Sequence, residues 1–294
     1  MKRVAVIGTG IMGAHLGRRL ARAGFDVRAW NRTAQKAEVL AADGVVPVAR
    51  LGDALTRADA AIVMLSGGPV IDALLFGEPA GIAALPRDAL VVVMSSIAVE
   101  TARAQAARAA ALGYAYLDAP VSGGEPGARD GTLAILVGGE PAAHERAAPL
   151  FTPLGTATWL GPAGSGQLAK LANQVIVGGT LVAIAEALTL AEHGGADPAA
   201  VRQALMGGFG DSKVLRVLGE RMVHGDFEPG SPAAYQLRDM RTASALARGM
   251  HLKLDQLDAV IERFEALARH GEIERDVAIV VREVARRATR EPAA

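Results

Sequence analysis

The chain has 294 residues, 51% of them hydrophobic with alanine prominent, no cysteine, and Lys plus Arg equal to Asp plus Glu at 31 each. Balanced charge leaves no electrostatic footprint for nucleic acid or an anionic membrane surface. The absence of cysteine excludes disulfides, a thiolate nucleophile and Cys-ligated metal, and suits a reducing cytoplasm. Six histidines without ligand-pair spacing make a metal site unexpected, and the length suggests two domains.

The first element is a strand at Val4 to Ile7, small or β-branched throughout as burial on both faces requires, followed at once by Gly8-Thr9-Gly10-Ile11-Met12-Gly13. From Ile11 the apolar residues take helical spacing, with Met12, Leu16, Leu20 and Ala23 on one side and Arg18, Arg19 and Arg22 mostly on the other, until Gly24 stops the helix. A second strand, Asp26 to Trp30, completes a strand, helix, strand unit. A secretory leader also starts with positive then apolar residues, but GxGxxG within this unit points to a dinucleotide site. Gly8 permits the tight turn, Gly10 lets backbone approach a pyrophosphate, and Gly13 lets helix and strand pack closely. The helix N-terminus, with Ile11 and Met12, faces the anion.

At the end of the second strand an NAD site usually carries a carboxylate for the ribose 2′-hydroxyl, yet Asn31-Arg32-Thr33 stands there. A guanidinium forks onto a 2′-phosphate and a threonine hydroxyl can donate to it, so NADP(H) is favoured over NAD(H). The competing reading makes Arg32 a solvated loop residue and Thr33 only the N-cap of the next helix.

Further along, helices are expected over 34–42, 99–112 and 142–151. Strands are expected over 45–49, 60–65, 90–94, 114–117, 133–137 and 157–160. This alternation predicts an α/β domain over 1–163, an open, mostly parallel, doubly wound sheet of the Rossmann type. Leu65, at the end of its strand, is counted with the cofactor contacts. Beyond 164 the strands cease, and an all-helical domain is expected over 164–294. It opens with a helix of about thirty residues from Ser165 to Gly194-Gly195, followed by Asp197-Pro198 as N-cap and first helical residue, then helices over 215–223, 236–249, 254–270 and 275–289. The apolar run Val175 to Ala191 is slightly short for a membrane span, contains Glu186 and lacks flanking positive clusters, so a buried interdomain or intersubunit helix is expected instead. Residues 290–294 are expected to fray.

A nicotinamide dinucleotide brings its own hydride, so the protein must supply a substrate clamp and a proton. Ser96 in "MSSI" follows a strand, where open sheets bind ligands; it could contact nicotinamide ribose or substrate, or cap the Val99 helix. Ser122-Gly123-Gly124 offers a hydroxyl and two unencumbered N–H groups suited to a carboxylate, although serine and glycine are also ordinary turn residues. Lys170 shares a helical face with Gln167, Asn173 and Gln174, at the start of a helix with little else polar on it. That face is expected to line the interdomain cleft, where partial burial would tune an ammonium toward acid/base work. The bland alternative is a solvated surface lysine.

On "GxGxMG" at Gly8 to Gly13, "MSSI", "DAPVSGG" at Asp118 to Gly124, "GAR.GTL" at Gly127 to Leu133, "G.G...KLANQ" at Gly164 to Gln174 and "RDM" at Arg238 to Met240, the chain resembles the β-hydroxyacid dehydrogenase family over nearly its whole length. Within that family it is most similar to the tartronate semialdehyde (2-hydroxy-3-oxopropionate) reductases and the glyoxylate/succinic semialdehyde reductases. The resemblance implies reversible NAD(P)-dependent reduction of a small, carboxylate-bearing aldehyde or keto acid. It implies Lys170 as proton donor and base, Ser122, Gly123 and Gly124 on the substrate carboxylate, Asn173 and Gln174 as orienting groups, Asp239 in the substrate cleft and Arg238 toward the cofactor. It departs from the family at Ser231, where relatives often carry Phe, at Ala234, where they often carry Asp, and at Arg238, where they carry Lys. These changes should enlarge or repolarise the pocket. Imine reduction and a cofactor-binding module without catalysis are the alternative functions. The apolar face of the long helix predicts a homodimer or homotetramer.

Overall fold

The computed structural model describes residues 1–289, and the chain divides into two compact units, Met1–Lys170 and Leu171–Ala294. The expectation for 290–294 lies outside the described residues.

The first unit runs β1 (Arg3–Ile7), α1 (Ile11–Arg22), β2 (Asp26–Trp30), α2 (Gln35–Glu38), β3 (Val46–Pro47), α3 (Leu51–Leu55), β4 (Ala60–Val63) and α4 (Gly68–Phe76). It continues with β5 (Leu90–Val93), α5 (Val99–Ala111), β6 (Ala115–Asp118), β7 (Val121–Ser122), α6 (Gly124–Asp130), β8 (Leu133–Gly139), α7 (Pro141–Phe151) and β9 (Gly155–Gly161). The strands form one sheet in the order β3-β2-β1-β4-β5-β6-β8-β7, with β9 on β8. The run from β3 to β6 is parallel, β8 is antiparallel to β6 and β7, and β9 is parallel to β8. That parallel order is the dinucleotide-binding one, with ligands expected at the carboxyl ends of the strands.

Alternation along the strands builds two cores. Val4 and Val6 join Leu16, Leu20, Leu150 and Phe151 on one face, whereas Ala5 and Ile7 join Ile71, Leu75, Ala102 and Tyr114 on the other. β5, Leu-Val-Val-Val, is fully buried, so the β-branched run satisfies both layers at once.

The structure departs from the expected elements where local turns win. The helix expected over 34–42 ends at Glu38 and continues as a 3-10 turn at Ala41–Asp43, because the chain reverses at Gly44, φ +82°, while Leu40 bends into the core. α3, α4, α6 and the short β7 were not expected; glycine and proline at the start of α4 and within α6 mask their helical spacing.

The second unit takes up α8 (Ser165–His193) after its first turns, then α9 (Pro198–Leu205), α10 (Lys213–His224), α11 (Ala233–Gly249), α12 (Asp255–Arg269) and α13 (Val280–Ala288). α9 packs on α10, α11 on α12 and α12 on α13, with Phe264, Leu267 and Val280 fully buried. Asp197 caps α9 by accepting the Ala199 N–H at 3.0 Å, and Ser212 caps α10 through the Leu215 N–H at 3.0 Å. The helix expected from Arg275 begins instead with a 3-10 turn at Val277–Ile279, because the buried Asp276 side chain caps it while also holding Gly230, Ser231 and Arg221. α8 is long and apolar enough to cross a membrane by length and composition, and half of its most apolar stretch is buried.

Candidate active site

In the loop between β1 and α1 the three glycines answer to different constraints. Gly8 has φ +94°, and a Cβ there would lie 2.2 Å from the Met64 carbonyl; a Cβ on Gly13 would lie 1.9 Å from the Gly8 carbonyl. Gly10 has an ordinary φ of −67°, and a Cβ there would meet nothing within 4 Å. Internal packing therefore does not demand glycine at 10, whereas close approach of a diphosphate to the helix N-terminus would. Gly10 offers α1 no side-chain cap and the first turn holds no acidic residue, so the positive end of the helix is uncompensated. Ile11 is exposed and Met12 half-buried at this mouth, and the Thr9 hydroxyl is buried without a hydrogen-bond partner. Space, backbone donors and lack of negative charge together fit a dinucleotide diphosphate.

Asn31 braces the loop. Its Oδ1 accepts the Thr9 N–H at 3.0 Å and its Nδ2 donates to the Thr33 carbonyl at 3.0 Å, strapping the end of β2 to the glycine turn. Arg32 and Thr33 are exposed beside it. Thr33 does not cap α2: the N-cap is Ala34, without a side-chain bond. Ser96 likewise does not cap α5, whose N-cap is Ala98. Of the two serines in "MSSI", Ser95 is buried and its hydroxyl accepts the Leu65 N–H at 2.7 Å, joining the ends of β4 and β5, while Ser96 stays half-buried at the strand edge.

The start of α8 is fastened to these strand ends by residues whose role the sequence did not reveal. Asp118, fully buried at the end of β6, accepts the Gly164 N–H at 2.8 Å and the Gln167 N–H at 2.8 Å. Burial pushes its carboxyl pKa up, against the downward pull of these backbone donors. The Gln167 side chain accepts from the Ile97 N–H at 3.0 Å and donates to the Ser95 carbonyl at 2.9 Å, so it is buried structure and not an outward companion of Lys170 as the helical spacing suggested. The close approach needs Gly166, where a Cβ would lie 2.3 Å from the Leu136 carbonyl. One turn beyond Gln167, Lys170 is half-buried. A lone carboxylate ending an apolar strand was the signal that could have exposed Asp118.

Ser122 ends β7, and Gly123 and Gly124 adopt φ +137° and +64° as α6 begins, so successive N–H groups follow the hydroxyl. α6 packs on α1, and His15 pairs with Glu125 at 3.2 Å, which sets this turn beside the dinucleotide helix.

In the second unit a polar chain joins Asn173, Gln174, Asp239 and Arg238. Asn173 Nδ2 donates to Gln174 Oε1 at 3.0 Å, Gln174 Nε2 donates to Asp239 Oδ2 at 3.0 Å, and the Arg238 guanidinium lies 2.9 Å from Asp239 Oδ1. Arg238 also lies over the Tyr235 ring, 5.3 Å from its centroid. Ser231 is exposed, with its N–H held by Asp276 at 2.9 Å, and Ala234 is half-buried. Among the described residues no His, Asp and Glu cluster could hold a metal ion.

Comparison with known proteins places the chain among nicotinamide enzymes. The NAD binding domain of 6-phosphogluconate dehydrogenase matches residues 3–161, and the NAD-binding domain of NADP-dependent 3-hydroxyisobutyrate dehydrogenase matches residues 164–284. The 2-hydroxy-3-oxopropionate reductase of Escherichia coli is 40% identical over 92% of this chain and 92% of its own length. The NAD-dependent L-serine dehydrogenase of Pseudomonas aeruginosa is 30% identical over 95% of this chain and 97% of its own. The 3-hydroxyisobutyrate dehydrogenase of Mycobacterium tuberculosis superposes with TM-score 0.86 at 29% identity, covering 96% of this chain and 98% of that one.

Proposed function

The chain belongs to the 3-hydroxyisobutyrate dehydrogenase-like family of β-hydroxyacid dehydrogenases, and from that premise we propose how its own residues divide the work. It is an NAD(P)-dependent oxidoreductase of the hydroxyacid dehydrogenase and semialdehyde reductase type. Neither imine reduction nor a non-catalytic module is favoured, since its relatives are named as dehydrogenases and reductases.

Bound NADPH supplies the hydride. Lys170 gives a proton to the substrate carbonyl oxygen in reduction and takes it from the hydroxyl in oxidation. Ser122 and the N–H groups of Gly123 and Gly124 hold the substrate carboxylate, while Asn173, Gln174 and Asp239 orient the reacting groups and Arg238 serves the cofactor. The observation that carries this reading is the fastening of α8 to Asp118 and Ser95, which sets Lys170 one turn from the strand ends that also bear the glycine loop.

Arg32 and Thr33, exposed where no carboxylate stands, support NADP(H) over NAD(H). The 40% identity to the Escherichia coli enzyme supports tartronate semialdehyde or a similar small semialdehyde acid as substrate. Leu168, Ala172, Ile176, Ala183, Ala187 and Leu190 line one exposed stripe of α8, which supports a homodimer or homotetramer built on that helix. The cysteine-free composition suits the cytoplasm.

The experiment is NADPH consumption over tartronate, succinic and methylmalonate semialdehydes and glyoxylate, with NADH run beside it and light scattering on the same sample. Turnover of at least one acid is expected, faster with NADPH, by an assembly larger than a monomer. Tight NADPH binding with no acid reduced would overturn the catalytic assignment.

A further inference from the structure

On α11 the Gln236 carboxamide grips Gln174 twice. Its Oε1 accepts from Gln174 Nε2 at 3.1 Å, and its Nε2 donates to the Gln174 backbone carbonyl at 2.9 Å. Gln236 is 6% exposed, so these bonds are little shared with water. The sequence makes room for the grip: a Cβ on Gly178 would lie 3.0 Å from Gln236 Nε2 and 2.7 Å from Met240 Sδ.

The grip fixes a direction. Gln174 Nε2 donates to both Gln236 Oε1 and Asp239 Oδ2, and an ionised carboxylate only accepts. Turning over the Gln174 amide would set its oxygen against two acceptors; turning over Gln236 would set nitrogen against nitrogen and oxygen against the α8 carbonyl. Both amides therefore have one satisfied orientation, in which Gln174 Oε1 accepts from Asn173 Nδ2 and the Asn173 oxygen, an acceptor, lies on the other arm of that amide.

We propose that Gln236 is a positioning residue, which locks the amide polarity of Gln174 and through it presents Asn173 as an acceptor one helical turn from Lys170. The proposal rests on the reading of Lys170 as the proton donor. An ammonium needs acceptors around it and a reversed amide would offer a donor, so loosening Gln236 acts on the proton step.

The test compares Gln236→Leu and Gln236→Glu with wild type, in NADPH-dependent reduction of tartronate semialdehyde across pH, with NADPH binding and thermal melting measured on the same preparations. Leucine removes both bonds and should lower kcat about tenfold or more at every pH, with NADPH affinity within about twofold of wild type. A protonated glutamic acid can both accept from Gln174 Nε2 and donate to the α8 carbonyl, whereas its carboxylate cannot donate. The Gln236→Glu enzyme should therefore approach wild-type kcat at the acid end and fall to the leucine level as pH rises through the new carboxyl's pKa. That profile carries the test even where leucine impairs folding. A Gln236→Glu profile of wild-type shape, or wild-type kcat in a folded Gln236→Leu enzyme, would overturn the proposal. Turnover retained by Lys170→Met would instead remove the reading beneath it. An inactive Lys170→Met with unaffected Gln236 variants would remove the Gln236 proposal alone.

Discussion

The side chain of Asp118 accepts the backbone N–H of Gln167 at 2.8 Å, so the last residue of β6 holds the first turn of the helix that carries Lys170. A second oxygen takes the Gly164 N–H at 2.8 Å. Asp118→Ala leaves both donors buried without an acceptor, which should cost about 2 kcal/mol or more of stability. It should also lower kcat, because the helix start that sets Lys170 is loosened. Asp118→Asn keeps one acceptor and turns an N–H₂ against the other donor, so it should fall between. Urea midpoints with kcat on the same samples check this; wild-type stability in Asp118→Ala would refute it.

Two glycines of the same motif should behave oppositely. Gly10→Ala meets no atom within 4 Å and should melt like wild type, yet bind NADPH at least about tenfold more weakly, because the new methyl fills the diphosphate's approach. Gly13→Ala drives a Cβ to 1.9 Å from the Gly8 carbonyl and should lose fold stability itself. Thermal melting and cofactor fluorescence titration separate the two; equal destabilisation would contradict the assignment.

The contrast also marks what a sequence discloses. GxGxxG, the doubly wound alternation and the long apolar helix were legible, because each is a local pattern read over neighbouring residues. The Asn31 amide also bonds Thr9 and Thr33, a closure between loops 22 residues apart that no periodicity encodes. Spacing of three and four gives Gln167 the same face as Lys170, yet it is buried, because the helix docks by the end where Asp118 and Gly166 admit it. Gln236 gave no signal on its own: its meaning depends on Gly178 leaving space on another helix.

The proposed preference for NADP(H) rests on Arg32, exposed at the end of β2. Arg32→Ala should weaken NADPH binding by about one to two powers of ten, the worth of a charge-assisted contact, and leave NADH binding nearly unchanged. Parallel loss for both cofactors would mean that Arg32 does not read the 2′-phosphate.

Asp59 gives the first unit an acid-sensitive clasp. Burial works against its charge, but the Lys2 and Arg3 N–H groups and the Arg3 guanidinium outweigh it and hold the carboxyl down to about 2, from an ordinary 3.8. A depressed pKa stabilises the fold above the unfolded value, and that share is lost as pH falls through the folded one. The stability gap between wild type and Asp59→Asn should be full near neutral pH and narrow from 3.8 toward about 2. A gap that does not change with pH would contradict the clasp.

Everything proposed for the reaction depends on Lys170 moving the proton. Steady-state reduction by Lys170→Met, with NADPH affinity measured on the same enzyme, tests it most directly. With methionine at 170, kcat should fall by about a hundredfold or more while NADPH affinity stays near wild type; turnover preserved, or cofactor binding lost in the same proportion, would rule out the lysine as proton donor.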